Sequence, residues 1–379
     1  MEIETPPPPP PPVAAAVAAA AAISSVLGDD DLLREILHRL GLPTALLCAA
    51  LVSRRWLRHA SDPAFLRAFR ARHPPALLGA YLSTAGGAPL PRFLPTSTLP
   101  PELAAAARRA GSFFDGAAFR GSSAAVRYCR GGRLLVAAYG THYGHTDSTH
   151  LVCSPLTPAG GAAVVPPPAP PLPAARPGES VVYHCHEFLP GGGGDGRSYS
   201  CVMTGYSGRQ TTVHLYELQD MHWVLRASAA ARLPVSPPRS KVVLVDDTRF
   251  YMLSATNKIL VCDFPSSSIS AMALPNGVED GHTGRIMLSR GDGSGGIYLF
   301  HVEGSQLRVF RGDDNAGNWF LADTVCLRQV CSNLGVSVGG HNAGVKLHAA
   351  WDSARFVFLE ILGAIVFLDI TSRKAECMS

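Results

Sequence analysis

The sequence predicts an α+β multidomain chain: a short helical module near the N-terminus, then an all-β, propeller-like domain. Three observations carry this reading. Apolar residues recur at helical spacing between residues 29 and 69. Beyond about residue 76 the chain turns to short β-branched or alternating runs broken by glycine and proline. Those runs repeat as a unit of strands and turns, five times over.

Residues 1–24 read as a low-complexity tail, with seven consecutive prolines before an alanine tract. Such composition favours extended or disordered chain. From Asp29, the residues Leu32, Leu33, Ile36, Leu37 and Leu40 fall on one helical stripe, while Asp31, Arg34, Glu35, His38 and Arg39 fill the other side. Glu35 and Arg39 form a supporting pair one turn apart. Gly41 stops this helix and Pro43 opens a second, striped by Leu46, Leu47, Ala50 and Leu51. Asp62-Pro63 starts a third, with Phe65, Leu66 and Phe69 on one side.

The strand repeats begin near Arg127, Val181, Lys241, Gly284 and Val345, each a strand pair leading into further apolar strands. Four short strands per unit with variable loops suit a propeller blade, which stacks radially and leaves only short edges. Residues 76–126 are long enough for a further blade, so five to seven are expected. An irregular pair of β-sandwiches is the competing architecture.

Patterns that would make an enzyme are weak. "HEFLP" at His186 lacks the second histidine of a zinc helix, and His184 and His186 share a strand face with Cys185 on the other, as ordinary strand histidines do. "GGGGDG" at 191–196 lacks the lysine and hydroxyl of a phosphate loop. No G-x-S-x-G elbow is present, and the pairs Asp246-Asp247 and Asp313-Asp314 sit in turn-like contexts. "RGD" occurs at Arg290 and Arg311 in glycine-rich hairpin settings. No catalytic residue, cofactor or metal ligand is therefore assigned.

A formal charge of +4 over 379 residues demands neither nucleic acid nor an anionic membrane as partner. Arg54 to Arg72 gathers six arginines against one acid, without the interleaved exposed aromatics that stack bases. This reads as a solvated basic face, or one meeting an acidic protein surface. The nine cysteines are odd in number and lack zinc spacing, which suits reduced thiols in cytoplasm or nucleus. The apolar N-terminal run is mostly alanine, short of the ~20 strongly apolar residues that span a bilayer.

The helical module carries more leucine than so small a cluster can hide. From periodicity alone two covers are available: the chain's own β domain or a second protein.

Residues 25–66 resemble an F-box, the adaptor-binding module of Skp-cullin-F-box ubiquitin ligases. The matching parts are "DDDLLREILHRL", "GLPT", "ALLCAALV" and "VSRRWLRHASDPAFL", with Val52 and Trp56 at the family's four-residue interval. Gly28 stands where proline is common and Ser53 where cysteine is common. The downstream phrases "CRGGRLLV", "HLVCSPLT" and "ILVCDFP" resemble the β domain of plant F-box proteins. The resemblance implies a helical F-box over 25–70, a substrate-recognition β domain over 76–379, and a receptor that does no bond chemistry. Its partners would be a Skp-type adaptor, through it a cullin ligase, and a protein substrate. Leu27, Leu32, Leu33, Ile36, Leu37, Leu40, Pro43, Leu46, Leu47, Leu51, Val52 and Trp56 are then divided between the adaptor interface and the small core beneath. The alternative function is a propeller scaffold or ligand binder without ligase activity.

Overall fold

A computed structural model describes residues 13–73, 77–82, 90–96, 99, 101–139, 148–157, 162–169, 181–189, 199–207, 210–232, 243–244, 249–254, 257–278, 284–291, 296–313, 317–335, 344–350 and 354–378. The chain divides between Leu77 and Leu78 into a helical unit and a β unit.

The helical unit holds α1 (Val13–Gly28), α2 (Asp30–His38), α3 (Pro43–Ala50), α4 (Arg54–Ala60) and α5 (Pro63–Arg72). Residues 13–24, expected within a disordered tail, are helical; alanine is the strongest helix former and makes up half of α1. Capping residues set the other boundaries. Asp29 accepts from the amides of Asp31 and Leu32 at 2.8 and 3.0 Å, Ser53 from Trp56 at 3.3 Å, and Asp62 from Phe65 at 2.8 Å. Pro43 and Pro63 occupy the first turns of α3 and α5, where a missing amide costs nothing. The core is Leu33, Leu37, Leu46, Ala49, Ala50, Ala60, Phe65 and Phe69, with Leu40, Trp56 and Leu66 packed against it.

The β unit opens with β1 (Gly79–Leu82) paired to β2 (Arg92–Pro95), then α6 (Pro101–Gly111) and two single turns of 3-10 helix. Among the described residues, 76–126 supply a two-stranded sheet and not the further blade for which they are long enough, so the count is five, at the low end of the expected range. The alanine-rich run after Pro101 coils into α6, and Phe114 and Phe119 pack against Leu134, Val136 and Leu151.

Five antiparallel four-stranded sheets follow. The first is β3 (Ser123–Arg130), β4 (Arg133–Tyr139), β5 (Ser148–Cys153) and β6 (Ala162–Val165); the second β7 (Val182–Phe188), β8 (Ser200–Tyr206), β9 (Thr211–Gln219) and β10 (His222–Ala231). The third is β11 (Val243–Leu244), β12 (Arg249–Leu253), β13 (Lys258–Asp263) and β14 (Ser268–Ala273). The fourth is β15 (Ile286–Arg290), β16 (Ile297–Glu303), β17 (Gln306–Gly312) and β18 (Trp319–Cys326); after α7 (Leu327–Val330) the fifth is β19 (Val345–Ala350), β20 (Phe356–Ile361), β21 (Ala364–Asp369) and β22 (Lys374–Met378). They are the blades of a five-bladed propeller, and each takes its four strands consecutively from the chain. The fifth is completed by its own strands.

Burial shows why this is a propeller and not a sandwich. On β12, Phe250 and Met252 pack with Phe188, Val202 and Val213 of the second blade. Tyr251 and Leu253, on the opposite side, pack with Ile286, Leu288 and Leu299 of the fourth. A sheet buried on both faces needs unbroken apolar strands, whereas a sandwich sheet keeps one wet face. The same logic joins Phe300, Val302 and Leu307 to Val357 and Leu359 in the last two blades. Outer strands such as β10 and β18 are largely exposed. Tight hairpins close the pairs: Gly131 and Gly132 between β3 and β4 both have positive φ, 56° and 74°, as a two-residue turn of this hand requires.

Leu359 is fully buried between two blades, so Leu359→Ala should destabilise the β unit by about 2 to 5 kcal/mol in urea unfolding. Leu321→Ala, on exposed β18, should change it by under about 0.5 kcal/mol. Equal effects would contradict the two-sided burial.

Candidate functional site

The helical unit separates its leucines into two sets. Leu33, Leu37 and Leu46 are enclosed, at 0%, 0% and 7% exposure. Leu47, Leu51 and Val52 are left outside at 66%, 86% and 65%, with Leu32 at 46%. Leu27, Ile36, Leu40 and Trp56 are half-buried. The reason is local. Leu46, Ala49 and Ala50 lie at the i, i+3, i+4 spacing of one helical face and meet the core, while Leu47, about 100° around the helix from Leu46, falls outside that face. Leu51 lies one turn beyond Leu47 and shares its face. Burial thus sorts eleven of the twelve candidates into enclosed, half-buried and exposed groups, and Pro43 lies in the first turn of α3.

Two features were missed in the sequence. The stretch after Val52 forms a separate helix, α4, signalled in retrospect by Ser53 as its cap. Leu57 on that helix is also exposed, at 51%, on the same face as Arg54 and Arg58.

A polar clamp holds α4 against the start of α2. The Arg55 guanidinium donates to the Asp30 carboxylate, its Nε at 2.8 Å, and to the carbonyls of Leu27 and Gly28. His59 Nε2 lies 3.0 Å from the same Asp30 oxygen. Gly28, standing where a proline would stiffen the chain, is thereby fixed through its carbonyl. Arg55 first, then His59, holds the Asp30 carboxyl below its ordinary value of 3.8. A lowered carboxylate pKa stabilises the fold above that ordinary value, and the gain is lost as pH falls through the folded-state pKa. Asp30→Asn should therefore melt the helical unit at lower temperature near neutral pH, with the gap from wild type closing below pH 4. A pH-independent gap would show that the carboxylate charge is not what matters.

Among the described residues of the β unit, the candidate fragments at His186, Arg290 and Arg311 lie on separate strands. His184 and His186 alternate with Cys185 along β7, as their partners Thr204, Val202 and Met203 on β8 show. Burial, then the nearby His184, pushes His186 down to about 4, so its imidazole is neutral at pH 7. Among the described residues no group of three or more His, Cys, Asp or Glu is placed to hold a metal ion. Between the first two blades, His150 Nδ1 lies 3.3 Å from Glu187 Oε2 with both side chains nearly enclosed, and 3.2 Å from the Tyr199 hydroxyl. Cys185 Sγ is 3.5 Å from Cys201 Sγ, and all nine cysteines are free thiols. Arg290 ends β15, and Arg311-Gly312 ends β17. The glycine run 191–196 and Asp246-Asp247 lie outside the described residues. Of the second aspartate pair only Asp313 is described, its amide bonded to the Asn318 carbonyl at 3.0 Å. A shallow depression of about 320 Å³ beside α6 is lined mainly by apolar groups, including Phe113, Phe119 and Pro155. No described helix is long and apolar enough to cross a membrane.

Comparison with known proteins matches residues 30–70 to an F-box-like domain and residues 125–378 to the β-propeller of AT5G49610-like F-box proteins. No curated protein matches the chain. Solved structures similar in part include YCF48 bound to D1 peptide, at 12% identity and TM-score 0.35 over 68% of this chain and 66% of that one. The Aleuria aurantia lectin is 12% identical with TM-score 0.37, over 70% of this chain and 79% of its own. TolB from Acinetobacter baumannii is 11% identical with TM-score 0.37, over 77% and 62%. Likenesses so distant say nothing of function. The match to the propeller takes in more than half of the chain, and the F-box match takes in the helices before it. The chain belongs to the family of F-box proteins with an AT5G49610-like β-propeller.

Proposed function

We propose that this chain is the substrate-recognition subunit of a Skp-cullin-F-box ubiquitin ligase, acting in cytoplasm or nucleus. An F-box-like domain implies binding to Skp-type adaptors in such complexes generally, and F-box β-propeller proteins are typically non-catalytic adaptors or receptors. The observation that carries the reading is the exposure of Leu47, Leu51 and Val52 on a helical unit whose core is already filled by Leu33, Leu37, Leu46, Phe65 and Phe69. Apolar groups so placed add nothing to the unit's own stability. They gain when a second protein removes them from water.

Among the twelve candidates, Leu32, Leu47, Leu51 and Val52 form the docking set. The half-buried Leu27, Ile36, Leu40 and Trp56 support it from beneath. Leu37 is enclosed, so its truncation acts through stability, not contact. The propeller holds the target protein, and the chain performs no bond chemistry. Tethering raises the target's effective concentration near the ubiquitin-transfer subunits.

The test is a binding isotherm between the full chain and a purified Skp-type adaptor. Leu51→Glu should weaken binding by about thirtyfold or more, equivalent to about 2 kcal/mol, while leaving the melting curve unchanged. Unaltered affinity for Leu51→Glu and Val52→Glu would remove this face from the interface. An adaptor that binds neither wild type nor variant would remove the ligase role itself.

A further inference from the structure

The exposed apolar face of the helical unit is bordered by positive charge that has no ion-pair partner among the described residues. On α4, Arg54, Leu57 and Arg58 recur at the spacing of one helical face, which the C-cap Ser61 continues, and all four are exposed. The third arginine of this helix, Arg55, is committed to Asp30. Arg54 and Arg58 make no ion pair among the described residues, whose pairs in this unit involve Arg34, Arg39, Arg55 and His59. Asp62, the one acid between residues 54 and 72, is occupied in capping α5. Exposed Arg67 and Arg70 on α5 add to the same sign.

We propose that the adaptor surface covering α3 and α4 is acidic around its apolar centre, and that Arg54 and Arg58 steer the association electrostatically. The inference rests on the docking reading above and specifies its chemistry. A neutral apolar partner closing over Leu51, Val52 and Leu57 would strip water from two guanidinium groups and return nothing for it. Carboxylates at the rim return charge-assisted hydrogen bonds in a geometry that suits arginine. Exposed charges of one sign also raise the encounter rate of an oppositely charged partner, and salt screens that gain because the Debye length shortens from about 10 Å at 0.1 M to about 3 Å at 1 M. Nucleic acid is the other polyanion to weigh. The groups between the arginines are aliphatic, and leucine and valine provide no stacking surface for bases.

Stopped-flow association of the full chain with purified adaptor, at about 0.05 M and about 0.5 M salt, separates these terms. The association rate should fall about tenfold or more with added salt. The double reversal Arg54→Glu, Arg58→Glu should lower the low-salt rate by a similar factor and flatten its salt dependence. Dissociation should change by about twofold or less, as expected of rim charges. The milder pair Arg54→Gln, Arg58→Gln should give an intermediate rate, and circular dichroism checks that each variant keeps its helices. A complex that forms at the same rate in the reversed variant would overturn the proposal while leaving docking intact. Absence of any complex would overturn the docking reading and this inference with it. A salt-sensitive shift with a single-stranded oligonucleotide, lost on reversal while adaptor kinetics stay unchanged, would assign the charges to nucleic acid instead.

Discussion

Everything proposed for this chain depends on one geometric constraint in α3. Its sequence, "PTALLCAA" followed by Leu51 and Val52, is apolar around most of the helix. A helix in a four-helix cluster has one inward face, so part of this apolar surface has to remain in water. Leu46, Ala49 and Ala50 take the inward positions beside Leu33 and Leu37. Leu47 and Leu51 are the remainder. No rotation of α3 hides both sets, because each turn inward for one carries the other out.

The rest of the helical unit fixes which face is which. Phe65 and Phe69 of α5 fill the floor of the core and stack at 6.0 Å between ring centres. The Arg55 clamp ties α4 to the chain before α2 by contacts that are specific in direction, since a guanidinium presents its donors in a rigid fork. The exposed set is therefore held in a defined arrangement before any partner arrives, which limits the ordering cost of binding. In the β unit the equivalent constraint is burial on two sides. Central strands such as β12, β16 and β20 are apolar on both faces because each blade is a filling between two others, whereas outer strands such as β10 and β18 are largely exposed.

Much of this was legible in the sequence. Helices α2, α3 and α5 follow from the spacing of Leu33 to Leu40, Leu46 to Leu51 and Phe65 to Phe69. The blade starts near Val181, Lys241, Gly284 and Val345 lie within two residues of strands beginning at Val182, Val243, Ile286 and Val345. Two segments differ from what their composition first suggested, for identifiable reasons. The segment before the first blade does contain a strand at Gly79–Leu82, which invited a full blade, but the alanine run after Pro101 has the propensity of a helix and forms one. The alanine tract near the N-terminus was judged by its low complexity and not by the same propensity. The assignment of individual leucines to core or surface was not legible at all. Periodicity gives the stripe of a helix, but α3 has no polar stripe to say which side faces out. That choice is made by Phe65, Phe69 and Ala60, which arrive from later helices.

The account stands on Leu47, Leu51 and Val52 being wet in the free chain and covered in the complex. Hydroxyl-radical footprinting of the full chain, alone and with saturating Skp-type adaptor, reads the reactivity of those three side chains directly. Strong protection of all three on adaptor binding, with Leu33 and Leu37 unreactive throughout, is the expected result. Equal reactivity in the bound and free states would show that the exposed face of α3 is not where the partner sits.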